Sequence, residues 1–183
     1  YAIHKIEKIM VNSDVMSALA SRWPENKINP SLDRIKLLLD YLGNPQDGLK
    51  VIHIAGTNGK TSTSRMVERL LRALDLRTGL FTSPHLNHPR ERISIDGSPI
   101  SVNNFEEIYR HVEPFLGLVD EQISDSPLTF FEVLTAMSFV SFADTPVDAV
   151  SLEVGMGGSW DATNVLIPMV SVITPIDLDH QEY

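Results

Sequence analysis

Two glycines, a lysine and several hydroxyls crowd into residues 56–62, GTNGKTS, directly after the β-branched run VIHIA. Gly56 and Gly59 let the backbone turn tightly and bring N–H groups toward an anion with no side chain in between. Lys60 carries a positive charge on a long stem, suited to outer phosphates, and Thr61 or Ser62 offers a hydroxyl to magnesium. A helix opening near Lys60 adds the positive end of its dipole. The order strand, glycine loop, Lys-Thr, amphipathic helix therefore predicts a nucleotide phosphate site. The loop departs from G-x-x-x-x-G-K-[ST] at one position, where Ile54 stands in place of the first glycine.

Other reactive side chains fall just past apolar runs. Ser83 and His85 follow TGLFT, Glu153 ends VDAVSLE before the glycine-rich GMGG, and Asp179 and His180 follow VSVITP. A hydroxyl, a carboxylate and an imidazole can each ligate magnesium, although imidazole is an uncommon partner for so hard a cation. Singly, they read as a capping serine, a strand-end ion pair and a surface histidine. Together they sit where a parallel sheet gathers strand ends on one edge, which favours a shared site. His85 and His88 both lie beside Ser83, and either can approach a substrate. His53, inside the strand before the loop, reads as a packed core histidine. Phe130 and Phe131 can pack an aromatic ring, but at helical spacing they read first as core.

The elements that must position these groups alternate between helix and strand. Residues 3–22 predict one or two helices, followed by the turn-rich WPENKINPS. Pro30 or Ser31 opens a helix through about Leu42, closed by Gly43 in a left-handed conformation. Met66, Val67, Leu70, Leu71 and Leu74 recur at helical spacing after the loop. TGLFTS is a second strand, and the excursion that follows contains a small hairpin at Asp96-Gly97. Helices are expected at 103–116 and 129–143. VDAVSLEVG and VSVITP read as buried parallel strands. The fold class is α/β, with a mostly parallel sheet flanked by helices and sites at the strand carboxyl ends.

Composition bounds the rest. A chain of 183 residues predicts one domain, and the absence of cysteine excludes disulfides, zinc–thiolate sites and a cysteine nucleophile. Fifteen basic against twenty-four acidic residues give a net charge of -9, which argues against nucleic acid and anionic membranes as partners. No apolar run approaches the roughly 18 residues of a membrane span, so a cytoplasmic, monomeric protein acting on small molecules is expected. The chain begins at Tyr1 without methionine and stops at Tyr183 soon after a strand-like run, so a fragment is expected.

AGTNGKTST, TSPH followed by ERI, LTFFE, EVGMGGSWDATN and ITPIDLDH, in that order, resemble the folylpolyglutamate synthase family, including its bifunctional dihydrofolate synthase members. The resemblance runs from about Ile28 to the end. The wider Mur ligase superfamily shares G-T-N-G-K-[ST] without the first glycine, so Ile54 is a family mark. The resemblance implies a P-loop domain like the Mur ligase central domain. Here it would be an amino-terminal part with a helical leader, lacking the rest of that domain and a carboxy-terminal glutamate-binding domain.

It further implies ATP held by Gly56, Thr57, Asn58, Gly59, Lys60, Thr61 and Ser62, and Mg2+ held by Thr61, Ser83, Glu153 and His180. Lys60, Glu153 and His180 would carry catalysis. Segments contacting the pterin-bearing substrate would be Asn29, Pro30, Ser31 and Leu32; Thr129, Phe130, Phe131 and Glu132; and Trp160, Asp161 and Ala162. Ser159 departs from the arginine that many relatives carry there. The implied reaction is ATP-dependent addition of L-glutamate to folate, or to dihydropteroate, through an acyl phosphate. A lysine supporting a second magnesium lies outside the chain, and the isolated fragment is expected to be inactive. Rival readings are a Mur-type ligase acting on a muramyl peptide and a non-catalytic nucleotide-binding module; EVGMGG and LTFFE favour the folate branch.

Overall fold

VIHIA forms β1 (Val51–Ala55), the strand next to one edge of a six-stranded sheet, in a computed structural model that describes residues 14–24, 31–123 and 126–177. β2 (Thr78–Phe81), β5 (Ala149–Glu153) and β6 (Val170–Ile173) run parallel to it, with β5 on one side of β1 and β6 on the other. β3 (Ile93–Ile95) and β4 (Ser98–Pro99) extend the β2 side as antiparallel strands, giving the order β4-β3-β2-β5-β1-β6. The predicted hairpin turn is present: Asp96 and Gly97 both take positive φ, as a two-residue turn matched to strand twist requires. Ile54 pairs with Glu153, and Phe81 with Leu152, so the carboxyl ends of β1, β5 and β2 are level. That register is what can bring distant sequence segments to one edge.

Helices α1 (Asp14–Ala20), α2 (Asp33–Tyr41), α3 (Lys60–Arg72), α4 (Val102–Gln122) and α5 (Phe130–Asp144) complete the described chain. Of the helix expected in 3–22, only α1 falls in the described residues. Gly43 ends α2 at φ 77°, as expected. α4 continues to Gln122 instead of stopping near 116, because Leu116 and Val119 extend the buried stripe of Phe105, Ile108, Tyr109 and Val112 past Gly117. α5 is buried along Glu132–Phe142, between the sheet and the pair α2 and α4. Its approach to β2 depends on Gly79, where a Cβ would lie 2.8 Å from the Phe142 ring.

The other face differs from expectation. α3 turns Ser64 and Glu68 toward the sheet, while Met66, Leu70 and Leu74 are 58%, 66% and 71% exposed. Small Ser64 allows close approach and its carbonyl accepts from the Ser151 hydroxyl; Glu68 is satisfied by Thr78 Oγ1 at 2.7 Å and Arg72 Nε at 3.0 Å. Helical periodicity located the apolar stripe but not the layer it faces. β6 is parallel as expected but not buried: Val170 and Ile173 are 50% and 70% exposed at the sheet edge.

Candidate active site

The glycine loop is shaped by the segment that leaves β6. Gly56 has φ 135°, and a Cβ there would lie 2.1 Å from Thr174 Oγ1 and 2.8 Å from the Thr174 carbonyl oxygen. The N–H groups of Thr57 and Asn58 donate to the Pro175 carbonyl at 3.1 and 3.2 Å. Asp177 N–H donates to Thr57 Oγ1 at 3.1 Å, and that hydroxyl donates to the Asp177 carbonyl at 3.0 Å. These two amides are thus engaged with protein, and the anion-facing groups shift to the start of α3. Gly59, at φ 82°, caps that helix without a side-chain hydrogen bond, so no side chain competes for the first-turn amides. Lys60 Nζ bends back to the Gly56 carbonyl at 2.7 Å, which sets the ammonium over the loop.

Beside it stands the carboxylate of Glu153, 1% exposed. Thr61 Oγ1 lies 2.7 Å from Glu153 Oε1 and 3.4 Å from the Ser83 carbonyl oxygen, and Ser83 N–H donates to Glu153 Oε2 at 3.2 Å. Burial pushes the Glu153 carboxyl above its usual range, opposed by the bonds from Thr61 and Ser83 and by the charges of Lys60 and Arg65. A carboxylate disfavoured by burial, with two hydroxyl-bearing residues against it, is a hard-oxygen set that fits magnesium. Among the described residues no three acidic or histidine side chains cluster. Magnesium commonly uses one or two carboxylates and leaves its other positions to phosphate and water. Asp179 and His180 lie outside the described residues.

Two of the three segments assigned to substrate are tied together through α2. Thr129 caps α5: its hydroxyl accepts from Glu132 N–H at 3.1 Å, and Glu132 Oε2 accepts from Thr129 N–H at 2.8 Å. Glu132 is buried and also takes Arg34 Nε at 3.0 Å; Arg34 reaches Ser126 Oγ at 2.8 Å. Arg34 belongs to α2, whose start is fixed by Ser31 Oγ accepting from Asp33 N–H at 3.0 Å, with Leu32 between them. The Thr129-x-x-Glu132 pattern was a readable capping signature; Arg34 had no sequence signal. Asn29 and Pro30 lie outside the described residues.

The two histidines separate. His88 is buried and caps the Pro89–Arg92 turn, its Nδ1 accepting from Arg90 N–H at 3.1 Å, with its ring edge-on to Phe105. His85 remains half-exposed beside Phe130, with Nδ1 accepting from Arg92 Nε at 3.0 Å and the Arg92 guanidinium over the Phe130 ring. Phe131 packs on Phe81 and over Gly155, where a Cβ would lie 2.5 Å from its Cζ. In the 160–162 segment Trp160 is 66% exposed, whereas Asp161 and Ala162 are buried. Ser159 is exposed, and its carbonyl accepts from Asn164.

A phosphate loop after β1, a buried carboxylate at the end of the adjacent parallel strand, and the Thr61 hydroxyl and Ser83 backbone against that carboxylate define a nucleotide-binding P-loop domain of the α/β class. The chain belongs to the Mur ligase middle domain family, whose pattern matches residues 54–183. Within it, the chain is 56% identical over 171 residues to the dihydrofolate synthase/folylpolyglutamate synthase of Mycobacterium tuberculosis, covering 90% of this chain and 35% of that protein. A Mycobacterium tuberculosis folylpolyglutamate synthase structure complexed with ADP superposes with a TM-score of 0.88 at 54% identity, over 97% of this chain and 39% of that one. A folylpolyglutamate synthase–AMPPCP–folate complex superposes at 0.84 and 37% identity, over 92% of this chain and 41% of that one. The chain spans little more than a third of these relatives' length.

Proposed function

We propose that this chain is the amino-terminal, ATP-binding part of a ligase that joins L-glutamate to folate, and to dihydropteroate if bifunctional. The observation that carries the reading is the Thr61–Glu153–Ser83 centre beside the Lys60 loop. The names of its relatives supply the substrate class, and the ADP, AMPPCP and folate in their structures agree with it.

The substrate carboxylate attacks the γ-phosphorus of ATP, forming an acyl phosphate and releasing ADP. The amine of glutamate then attacks the acyl carbon, phosphate leaves, and the ammonium proton passes to solvent. No protein nucleophile is needed, so the residues act by alignment and charge. Lys60 and the first-turn amides of α3 hold phosphate oxygens, while Thr61, Ser83 and Glu153 would hold Mg2+, with His180 proposed as a further ligand. Bound there, the metal would supply positive charge to offset that of the transferring phosphoryl group. The concentration of positive groups at one strand edge lets anionic reactants meet on a protein of net charge -9. We assign glutamate binding, and a lysine supporting a second magnesium, to parts outside this chain, and we place the enzyme in the cytoplasm as a monomer.

The test is glutamate-dependent phosphate release by the full-length protein with folate, dihydropteroate and a nucleotide-linked muramyl peptide side by side. Turnover is expected with folate or dihydropteroate. Turnover with the muramyl substrate alone would replace this reading with a cell-wall ligase. Nucleotide-induced stabilisation with no phosphate release would replace it with a binding module.

A further inference from the structure

β1 and the loop after β5 are joined by a buried chain of side chains that holding phosphate does not require. His53 Nε2 lies 2.8 Å from Thr163 Oγ1, and Thr163 Oγ1 lies 2.5 Å from Asp161 Oδ1. Asp161 also accepts from Thr163 N–H and Met156 N–H, each at 2.9 Å. All three side chains are buried.

The direction of the chain follows from counting protons. Burial pushes the Asp161 carboxyl up, but the Thr163 hydroxyl and backbone N–H groups point at both of its oxygens and leave it no acceptor for a proton of its own, which assigns the carboxylate, a group that only accepts. The single Thr163 hydroxyl proton therefore goes to Asp161, and the Thr163 oxygen accepts from His53. His53 must carry its proton on Nε2. The imidazole thereby holds the hydroxyl that, with two amides, holds the carboxylate next to Trp160.

We propose that His53 is a positioning residue for the 155–163 loop and, through it, for Trp160, whose 66% exposed indole is open to the aromatic part of the substrate. His53 lies three residues before Gly56, so the strand that ends in the phosphate loop also anchors the loop presenting Trp160. Phe131 pressing on Gly155 fixes the other end of that loop. The kinetic consequence rests on the folate-ligase reading; the structural one does not.

The test uses the full-length enzyme and four variants: H53F keeps ring bulk without a donor, H53Q restores a donor near the place of Nε2, T163V removes the hydroxyl, and H53F/T163V combines the two. H53F and T163V are each expected to raise KM for folate about tenfold, the scale of one buried hydrogen bond, with kcat within about twofold. H53Q should return KM to within about twofold of wild type, and the double variant should be no worse than the singles. ADP affinity, titrated with a fluorescent analogue, should not change. Unchanged KM in H53F, or ADP affinity falling in parallel with it, would overturn the proposal.

Two further readouts stand if folate proves not to be the substrate. Hydrogen exchange across 154–164 should be faster in H53F than in wild type while 51–63 is unchanged, and 15N histidine spectra should show the His53 proton on Nε2. Equal exchange, or a proton on Nδ1 with none on Nε2, would also overturn it.

Discussion

The Thr61 hydroxyl lies 2.7 Å from the carboxylate of Glu153, joining the first turn of α3 to the end of β5. Burial pushes the Glu153 carboxyl above the ordinary value of 4.5. Its charged form is therefore less favoured in the folded than in the unfolded chain. The stability associated with its proton is complete below about pH 4.5 and lost as pH rises through the folded value. Glu153→Gln removes that penalty, and the Thr61 hydroxyl can turn toward the Ser83 carbonyl. The ligand-free protein should melt about 2–4 °C higher at pH 7.5, with the gain vanishing near pH 4. Magnesium-dependent ATP affinity should fall at least about tenfold. Thermal scans across pH and ATP titrations with and without magnesium read the two effects.

Gly56 tests the loop. Alanine there would need φ near 135° and a Cβ overlapping both the Thr174 hydroxyl and its backbone oxygen. Gly56→Ala should cost about 1–3 kcal/mol in urea unfolding and weaken ATP binding about tenfold or more. Adding Thr174→Ala should recover only part of the loss, because the backbone oxygen stays.

Arg34 and Glu132 tie α2 to the start of α5. Removing one partner leaves a buried charge, so Arg34→Met alone should destabilise by about 3–5 kcal/mol. Arg34→Met with Glu132→Leu should lose less than Arg34→Met alone, although it sacrifices the cap on Thr129. Denaturant unfolding of the three proteins gives the comparison.

Burial holds both His53 and His88 below the ordinary imidazole value of 6.5; neighbouring Arg90 adds to the effect on His88. The unfolded chain takes up these protons first as pH falls. Stability is therefore present above about pH 6.5 and lost as pH drops through the folded values, by at most about 1.4 kcal/mol per pH unit per histidine. His53→Gln with His88→Asn, which keeps an acceptor for the turn, should flatten the urea midpoint between pH 7 and 5.

Local features were legible in the sequence. The glycine loop, the Asp96-Gly97 turn and the parallel strands depend on spacing and backbone preference, and the structure has them where expected. Met66, Leu70 and Leu74 were legible as a stripe but not as an exposed one, because periodicity records a face and not its cover. The Pro175–Asp177 contacts to the loop and the His53–Thr163 bond join segments about 110–120 residues apart. Register and crossover geometry create them, and no local pattern encodes them. Thr129 and Glu132 lie between these cases: the capping pattern was written in the sequence, while its coupling to Arg34 required the fold.

The central claim is that this loop and carboxylate serve a ligase that activates a substrate carboxylate as an acyl phosphate. The most direct measurement uses folate labelled with 18O in its γ-carboxylate, the full-length enzyme, ATP, magnesium and glutamate. One 18O should appear in each inorganic phosphate released, and Lys60→Ala should abolish that release. Unlabelled phosphate accompanying continued formation of glutamylated product would contradict the account.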